Sequence, residues 1–544
     1  MNVETRVEGG ASQHVVDRHS GLFRRTAILS VLTLASRILG FVREVVSAML
    51  FGAASPVYDA FLTAWRVPNL MRRFFGEGAL STSLQTALTD ADAHGGDDAG
   101  RELFTQTLRL AFLVLTGVCL VLIGGLELVR EPLVASGVVG EPEGARAAIE
   151  LTQRMLPFVV FICLAALVAG GLQVRGFFGV PALAPIAMNV VWIAALVAMI
   201  ALQPGAEHIT LVRQLAWVVL FSGFVQLAVQ WPACRKVGLV GPGVFALLRP
   251  PTRAAWDVLA RSAPLALGAA VYQINVMVDG LMAEGLLSDG GPTTHYYANR
   301  VQQFPMAMIA VAATSSVFPK LKAFASVGRG GELRDLHDRA QLGIAFLALP
   351  ASAGLWVLAE PISVALFRHG AFDDAGAVRL GSALAMLALA LLPAGAVGLT
   401  SRVYYAKGDF RSPVRVSIAM LVLNTLLNLA FVVGLGMDVD GLALSTVLTS
   451  WCNLALLWPG LRSRLDLPPV RADFAGRFAR IAVAAAASGL AAFGAMRATA
   501  GLAAPLVVLT AGAAGVAVYF LAARLLRIPE GERLKERLAR TRDR

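Results

Sequence analysis

Ionisable residues stand inside the apolar stretches of this 544-residue chain, where each needs a reason. Arg37, Arg43 and Glu44 lie in "SRILGFVREVV", and Asp59, Arg66, Arg72, Arg73 and Glu77 lie in or at the ends of the next stretch. Arg300, preceded by Asn299, sits early in a later one. A charge at mid-bilayer costs about 2.5–3.5 kcal/mol on the lenient insertion scale, so such groups face one another or a wet interior. At 100° per residue, Arg37 and Glu44 share a helical face, as do Asp59, Arg66 and Arg73; Glu77 joins them if the helix continues past Pro68. Arginines outnumber carboxylates in this set, so pairing leaves cationic charge that calls for an anion. A guanidinium stays protonated when desolvated and grips phosphate with two parallel hydrogen bonds, which points to a phosphate-bearing substrate. Internal salt bridges that pin helices together are the other reading, and the simpler one for Glu44, Arg66 and Glu77. A second group is oxygen-rich: Asp279 in "YQINVMVDGLM", Asn424 and Asn428 in "LNTLLNLAF", and Ser445 and Thr446 in the following stretch. One carboxylate, two amide oxygens and a hydroxyl suit a small hard cation such as sodium. A protonated Asp279 hydrogen-bonded to the amides is equally open.

The elements that must position these groups are membrane-spanning helices. The chain is 57% hydrophobic and 15% charged, with a mean hydropathy of +0.67, where a soluble protein carries about 25% charged residues. Runs such as "LAFLVLTGVCLVLIGGLELV" reach the roughly 20 helical residues that a hydrocarbon core requires. The apolar pattern predicts an all-α polytopic membrane protein with fourteen spans, at 26–50, 60–88, 103–129, 149–174, 180–202, 213–233, 255–286, 296–318, 340–366, 377–401, 413–435, 440–461, 476–496 and 502–526. The tail 1–25 and the loops 234–254, 319–339, 402–415 and 462–480 hold four or five Lys/Arg each, while 51–59, 203–212, 287–295 and 436–440 hold none. That asymmetry places both termini in the cytoplasm, and it accounts for the net charge of +11 without nucleic acid.

The predicted organisation is a tail (1–25), a first lobe of spans 1–6 (26–233), a linker (234–254), a second lobe of spans 7–12 (255–461), two further spans (462–526) and a basic tail (527–544). Each lobe opens on a polar-bearing span followed by a charged one with an internal proline, Pro68 or Pro305. Two such repeats around a central site are a common transporter plan. These prolines, with Gly40 and Gly76, are candidate hinges for alternating access. No loop is long enough for a soluble catalytic domain. His369 with Asp373 and Asp374 reads as an ordinary loop cluster. The four cysteines lack metal-ligand or redox spacing and read as buried small hydrophobes. No GxxxxGK[ST] motif occurs, which favours an ion gradient or membrane potential over ATP. No cofactor is expected other than the candidate sodium ion.

The run "SRILGFVREVVSAMLFGAASPVYDAFLTAWRVPNLMRRFFGEGALS" (36–81) resembles the first two helices of the MurJ/MviN family of lipid II flippases, in the multidrug/oligosaccharidyl-lipid/polysaccharide exporter superfamily. "YYANRVQQFP" (296–305), "LALPASAGLWVLAEPISVALFRHGAF" (347–372) and "VYYAKGDFRSPVRVSI" (403–418) continue the resemblance, which covers about 26–526. It implies fourteen helices, two six-helix lobes around a cationic cavity, and a lipid-tail groove on the last two helices. It implies transport roles for Arg37, Arg43, Asp59, Arg72 and Arg300, with Glu44, Arg66, Arg73, Glu77 and Asn299 as supporting or gating residues. Some members are similar in the second lobe too, with sodium where Asp279, Asn424, Asn428 and Thr446 stand. Glu44 stands where members often have aspartate, a mild change, and Asn299 stands where some have aspartate, which leaves Arg300 with less neutralisation nearby. The implied activity is export of lipid II across the bacterial inner membrane for peptidoglycan synthesis, with membrane lipids and the cell-wall machinery as partners. The sibling reading is a flippase for another undecaprenyl-diphosphate-linked oligosaccharide, of O-antigen or capsule type. A lipid-linked-glycan enzyme would need a large outer loop, and a scaffold would need no alternation.

Overall fold

The computed structural model describes residue 29 and residues 31–72, 79–137, 141–241, 244, 250–314 and 317–532. Arg73, Gly76 and Glu77 therefore lie outside the described residues. Among those described, the chain is helical with no strand. Lipid offers a backbone no hydrogen-bond partners, so a spanning segment must satisfy its own N–H and C=O groups as a helix.

Helix α1 covers 31–51. It is followed by α2 (Pro56–Met71), α3 (Ala79–Leu128), α4 (Arg130–Ala135), α5 (Pro142–Met155), α6 (Phe158–Val174), α7 (Gly179–Leu202), α8 (His208–Lys236) and α9 (Arg253–Leu286). Then come α10 (Gly291–Thr314), α11 (Phe318–Ser326), α12 (Gly330–Phe367), α13 (Asp374–Ala388), α14 (Leu391–Ala406), α15 (Arg411–Leu429), α16 (Val439–Ser463), α17 (Phe474–Ala498) and α18 (Ala504–Leu525).

Among the described residues, nine of these helices or joined helices are long and apolar enough to span a bilayer, ten with α13 and α14, which are bent by 41° where they meet. The sequence expects span 10 as one helix over 377–401; the structure breaks it at Leu389–Ala390. The expected spans outside this set are those carried by α1, α2, α9 and α10, which open the two predicted repeats. Of these, α2 is 16 residues long and α1 carries Arg37, Arg43 and Glu44. Within the expected second span, 60–88, α2 is described to Met71 and α3 from Ala79, and 73–78 lie outside the described residues. The long α3 is itself broken at Gly96, whose φ of +69° is a conformation that residues with a Cβ avoid. Cys119, Cys163 and Cys234 are buried as expected, whereas Cys452 is exposed on α16.

By packing, the chain forms two units. Unit 1 holds residues up to Ser47 and Ala60–Met277; unit 2 holds Ala48–Asp59 and everything from Val278. In unit 1, α6 packs against α3 and α8, and most of its side chains are buried. The connection after α8 is pinned to α3: Arg101 Nε donates to Gly238 O (2.7 Å), Gly241 N to Thr105 Oγ1 (2.8 Å) and Arg109 Nη2 to Pro250 O (3.4 Å). Unit 2 is built on α12, which touches α13, α14, α17 and α18. One end of α12 carries a buried polar cluster. Arg334 Nε and His337 Nδ1 lie 2.9 and 3.0 Å from Asp338 Oδ1, and Gln341 Nε2 donates to Thr400 Oγ1 and Ala396 O at 3.0 Å each. Beside it, the connection before α17 is held by ion pairs of Arg471 with Asp335 and Asp473. The Arg471 guanidinium hydrogen-bonded to it, with Arg477 nearby, holds the Asp473 carboxyl down at about 2.

Candidate functional site

The arginines of unit 1 divide into held and unheld groups. Arg43 is 5% exposed. Its Nη2 lies 2.5 Å from Glu44 Oε1, its Nη1 donates to Asn189 Oδ1 (3.4 Å), and its guanidinium sits 4.4 Å over the Trp192 ring. Asn189 in turn donates to Ser36 O (3.2 Å), so α7 holds the arginine from two sides. Arg37, six residues earlier on α1, is exposed and makes no hydrogen bond or ion pair among the described residues. It shares a helical face with Glu44, yet Glu44 is 2% exposed; the start of α1 is largely exposed where its far end is buried. On α2, Arg66 donates to Thr63 Oγ1 (3.5 Å), and Arg72 donates from Nε and Nη2 to Asn69 Oδ1 (3.2 and 3.0 Å). Both are half-buried, and both have a hydrogen-bond partner one turn back on their own helix.

Asp59 has a different place from the one expected. It belongs with the segment 48–59 in unit 2 and is 4% exposed. Its Oδ2 accepts from Gly290 N (2.7 Å), and its Oδ1 accepts from Thr293 N (2.9 Å) and Thr293 Oγ1 (2.5 Å). These donors open α10, so Asp59 caps that helix from another part of the chain, putting negative charge at the positive end of its dipole. Around it the backbone is close-packed. Ala371 N donates to Met49 O (2.9 Å), and a Cβ at Gly52 (φ +76°) would meet Ala371 O at 2.7 Å. Tyr58 stacks on Phe51 with ring centroids 4.5 Å apart and places its hydroxyl 3.3 Å from that of Tyr297. One turn further along α10, Asn299 Nδ2 donates to His295 O (2.9 Å), and Arg300 Nη1 donates to Gln303 Oε1 (3.3 Å).

The oxygen-rich group does come together. Asn428 Nδ2 donates to Asp279 Oδ1 (3.0 Å) and lies 3.4 Å from Asn424 Oδ1, while Ser445 Oγ donates to Asn428 Oδ1. Asp279, Asn424, Asn428 and Ser445 are all buried. The hydroxyls of Thr446 and Ser445 both lie within hydrogen-bond distance of Leu442 O (3.0 and 2.8 Å), and it is Ser445 that also hydrogen-bonds Asn428. Directly after Asn428, α15 ends in a π-helical turn, Ala430–Gly434, a feature often found at functional sites.

Sequence reasoning missed Asn189, Trp192, Thr293 and the Arg334–His337–Asp338 cluster. Asn189 and Trp192 sit singly in apolar runs, and the cluster lies where α12 leaves its apolar stretch. Residue type gave no signal in any of these cases.

A helical chain with this many membrane-length helices, packed as two units with cationic residues on the opening helices, is a polytopic membrane protein of the two-lobed transporter type. Residues 47–516 match the family model for lipid II flippase MurJ. The chain is 33% identical over 447 residues to the lipid II flippase MurJ of Burkholderia cenocepacia, covering 81% of this chain and 84% of that one. It therefore belongs to the MurJ lipid II flippase family. Its fold is similar to a solved lipid II flippase MurJ in an inward closed conformation, with a TM-score of 0.70 and 21% identity over 92% of this chain and 98% of that one. It is also similar to an inward-facing multidrug resistance MATE family transporter of the MOP superfamily, with a TM-score of 0.64 and 15% identity over 81% and 99% of the two chains.

Proposed function

We propose that this chain moves lipid II from the inner to the outer leaflet of the bacterial cytoplasmic membrane by alternating access, as a transporter and not an enzyme, with both termini cytoplasmic. The family match over 47–516 carries this reading. The diphosphate of lipid II needs paired cationic donors, and Arg37, Arg43, Arg72 and Arg300 are assigned to it. Arg37 makes no hydrogen bond or ion pair among the described residues, and Arg72 donates to the Asn69 amide one turn away. Arg66, Arg73, Glu77 and Asn299 are the supporting or gating residues of this reading. Pro68 and Pro305 lie inside α2 and α10, where a missing backbone donor eases bending.

The test is depletion of the native flippase in a host supplied with this chain. Lipid II should stay accessible on the outer leaflet and growth should continue; inner-leaflet accumulation would reject the reading. Complementation only of an O-antigen or capsule flippase would favour the sibling cargo. For orientation, Ser288→Cys should react in intact cells with an impermeant thiol reagent and Val327→Cys should not, in a background with Cys452 replaced. The reverse pattern would invert the topology.

The cluster of Asp279, Asn424, Asn428 and Ser445 supports a sodium site, because its donor set is rich in oxygen and includes a carboxylate. Bound sodium would supply a drive for the cycle; Asp279 would provide the charge, and the amides and hydroxyl the remaining ligands. Sodium should raise the melting temperature of the purified protein above that in potassium, and Asp279→Asn should erase the difference. Indifference of the wild type to sodium would leave a protonated Asp279 held by the amides.

A further inference from the structure

Unit 2 contains a crevice of about 380 Å³ between α12, α14, α16 and α17, bounded by Gln341, Leu392, Ala396, Trp451, Trp458 and Phe474 among others. That volume falls in the range of small-molecule sites, about 300–1,000 Å³. Its walls are apolar except for Gln341, whose amide nitrogen already donates to Ala396 O and Thr400 Oγ1. Water needs two to four polar partners to settle in a cavity, and this one offers almost none. The crevice is flanked by the outer surface of α16, where Trp451 is 43% and Leu456 54% exposed on a membrane-spanning helix. An exposed apolar face on a membrane-spanning helix is suited to lipid chains.

Charge identifies the occupant more closely. Trp451, Leu454, Ala455 and Trp458 line the crevice from one stripe of α16, at i, i+3, i+4 and i+7. Arg462 stands eleven residues after Trp451, which returns it to the same stripe at the last turn of the helix. It is exposed and makes no hydrogen bond or ion pair among the described residues. By contrast Arg464, Arg471 and Arg477 around it are engaged, with Ser412, with Asp335 and Asp473, and with Asp473 and Glu530. An apolar slot that ends in one uncommitted guanidinium at the helix terminus has the form of an amphiphile: chain in the slot, phosphate at the arginine. We propose that this crevice binds one acyl chain of an anionic phospholipid from the leaflet at the 463–474 end, with its headgroup phosphate on Arg462. The lipid fills the gap left beside α14 and α16 by α17, which packs on α12 and α18. This inference rests on the membrane-spanning fold and not on the flippase reading.

The experiment titrates delipidated full-length protein in detergent with phosphatidylglycerol or phosphatidylethanolamine and counts bound lipid by native mass spectrometry. One phosphatidylglycerol should bind saturably, roughly fivefold more tightly than phosphatidylethanolamine, the value of about 1 kcal/mol for one basic residue at an anionic headgroup. Ala455→Trp should remove that lipid by filling the slot. Arg462→Ala changes an exposed side chain without altering the core, and it should bring phosphatidylglycerol down to the affinity of phosphatidylethanolamine. Equal affinities in the wild type, or an unchanged preference in Arg462→Ala, would overturn the headgroup assignment. An unchanged lipid count in a folded Ala455→Trp protein would overturn the site. Displacement of the lipid by a polyprenyl diphosphate at equal concentration would overturn it as well, by assigning the slot to a prenyl chain.

Discussion

Alanine at Arg37 should abolish lipid II export while leaving the melting temperature of the protein unchanged, and alanine at Arg43 should lose both. The arginines lie on one helix, yet their surroundings separate them. Arg37 is exposed and uncommitted among the described residues, so its removal costs the folded state little. If it meets the substrate diphosphate, a charge-assisted contact of about 1.5–3 kcal/mol disappears, roughly a 10- to 100-fold loss in affinity. Arg43 is buried against Glu44, Asn189 and Trp192. Truncating it leaves the Glu44 carboxylate buried without that guanidinium, and breaking such a pair costs about 3–5 kcal/mol. Lysine at Arg37 should restore export only in part, since an ammonium cannot present the planar fork. Export assays and thermal melts of Arg37→Ala, Arg37→Lys and Arg43→Ala decide this. Normal export by Arg37→Ala would remove that residue from the transport path. A stable, inactive Arg43→Ala would make Arg43 a substrate contact first and a packing residue second.

Asp59→Ala should destabilise the protein by about 1–3 kcal/mol, because three buried donors, Gly290 N, Thr293 N and Thr293 Oγ1, lose their acceptor at once. Asp59→Asn keeps an oxygen acceptor and should recover most of that, short of the contribution of a negative charge at a helix N-terminus, about 0.3–1 kcal/mol. The accompanying sign is faster proteolysis at the 287–290 loop in Asp59→Ala. The family resemblance implies a transport role for Asp59, and in the structure its carboxylate caps α10. A variant that melts like the wild type but no longer exports would return it to the substrate. Loss of stability and export together, with both recovered in Asp59→Asn, would identify the cap as its role.

Much of the architecture was legible in the residues. Long apolar runs can cross lipid only as helices, and no tertiary information is needed to see that. The positions of α5 to α8 and of α15 to α18 follow the apolar pattern closely, because for those helices hydropathy and structure report the same thing. The pattern weakened where spans carry charge. Of the second span, 60–88, α2 covers the part up to Met71 and α3 the part from Ala79, with 73–78 outside the described residues, and the tenth is bent at Leu389–Ala390. Hydropathy averages over a window and does not register a local break.

The sequence by itself determined the class of the molecule: its many spans, the cationic surplus at the heads of the two repeats, and the oxygen-rich residues of the second lobe. These follow from the cost of placing charge in hydrocarbon, which each residue carries wherever it goes. Partners are another matter, because a hydrogen bond depends on what another helix brings within about 3 Å. Only the tertiary structure decided that Arg43 is held by α7 while Arg37 is not, that Ser445 hydrogen-bonds Asn428 beside Asp279, and that Asp59 closes the start of a helix 231 residues away in the chain. Spacing on one helix can show which side chains share a face. It carries no information about what that face meets.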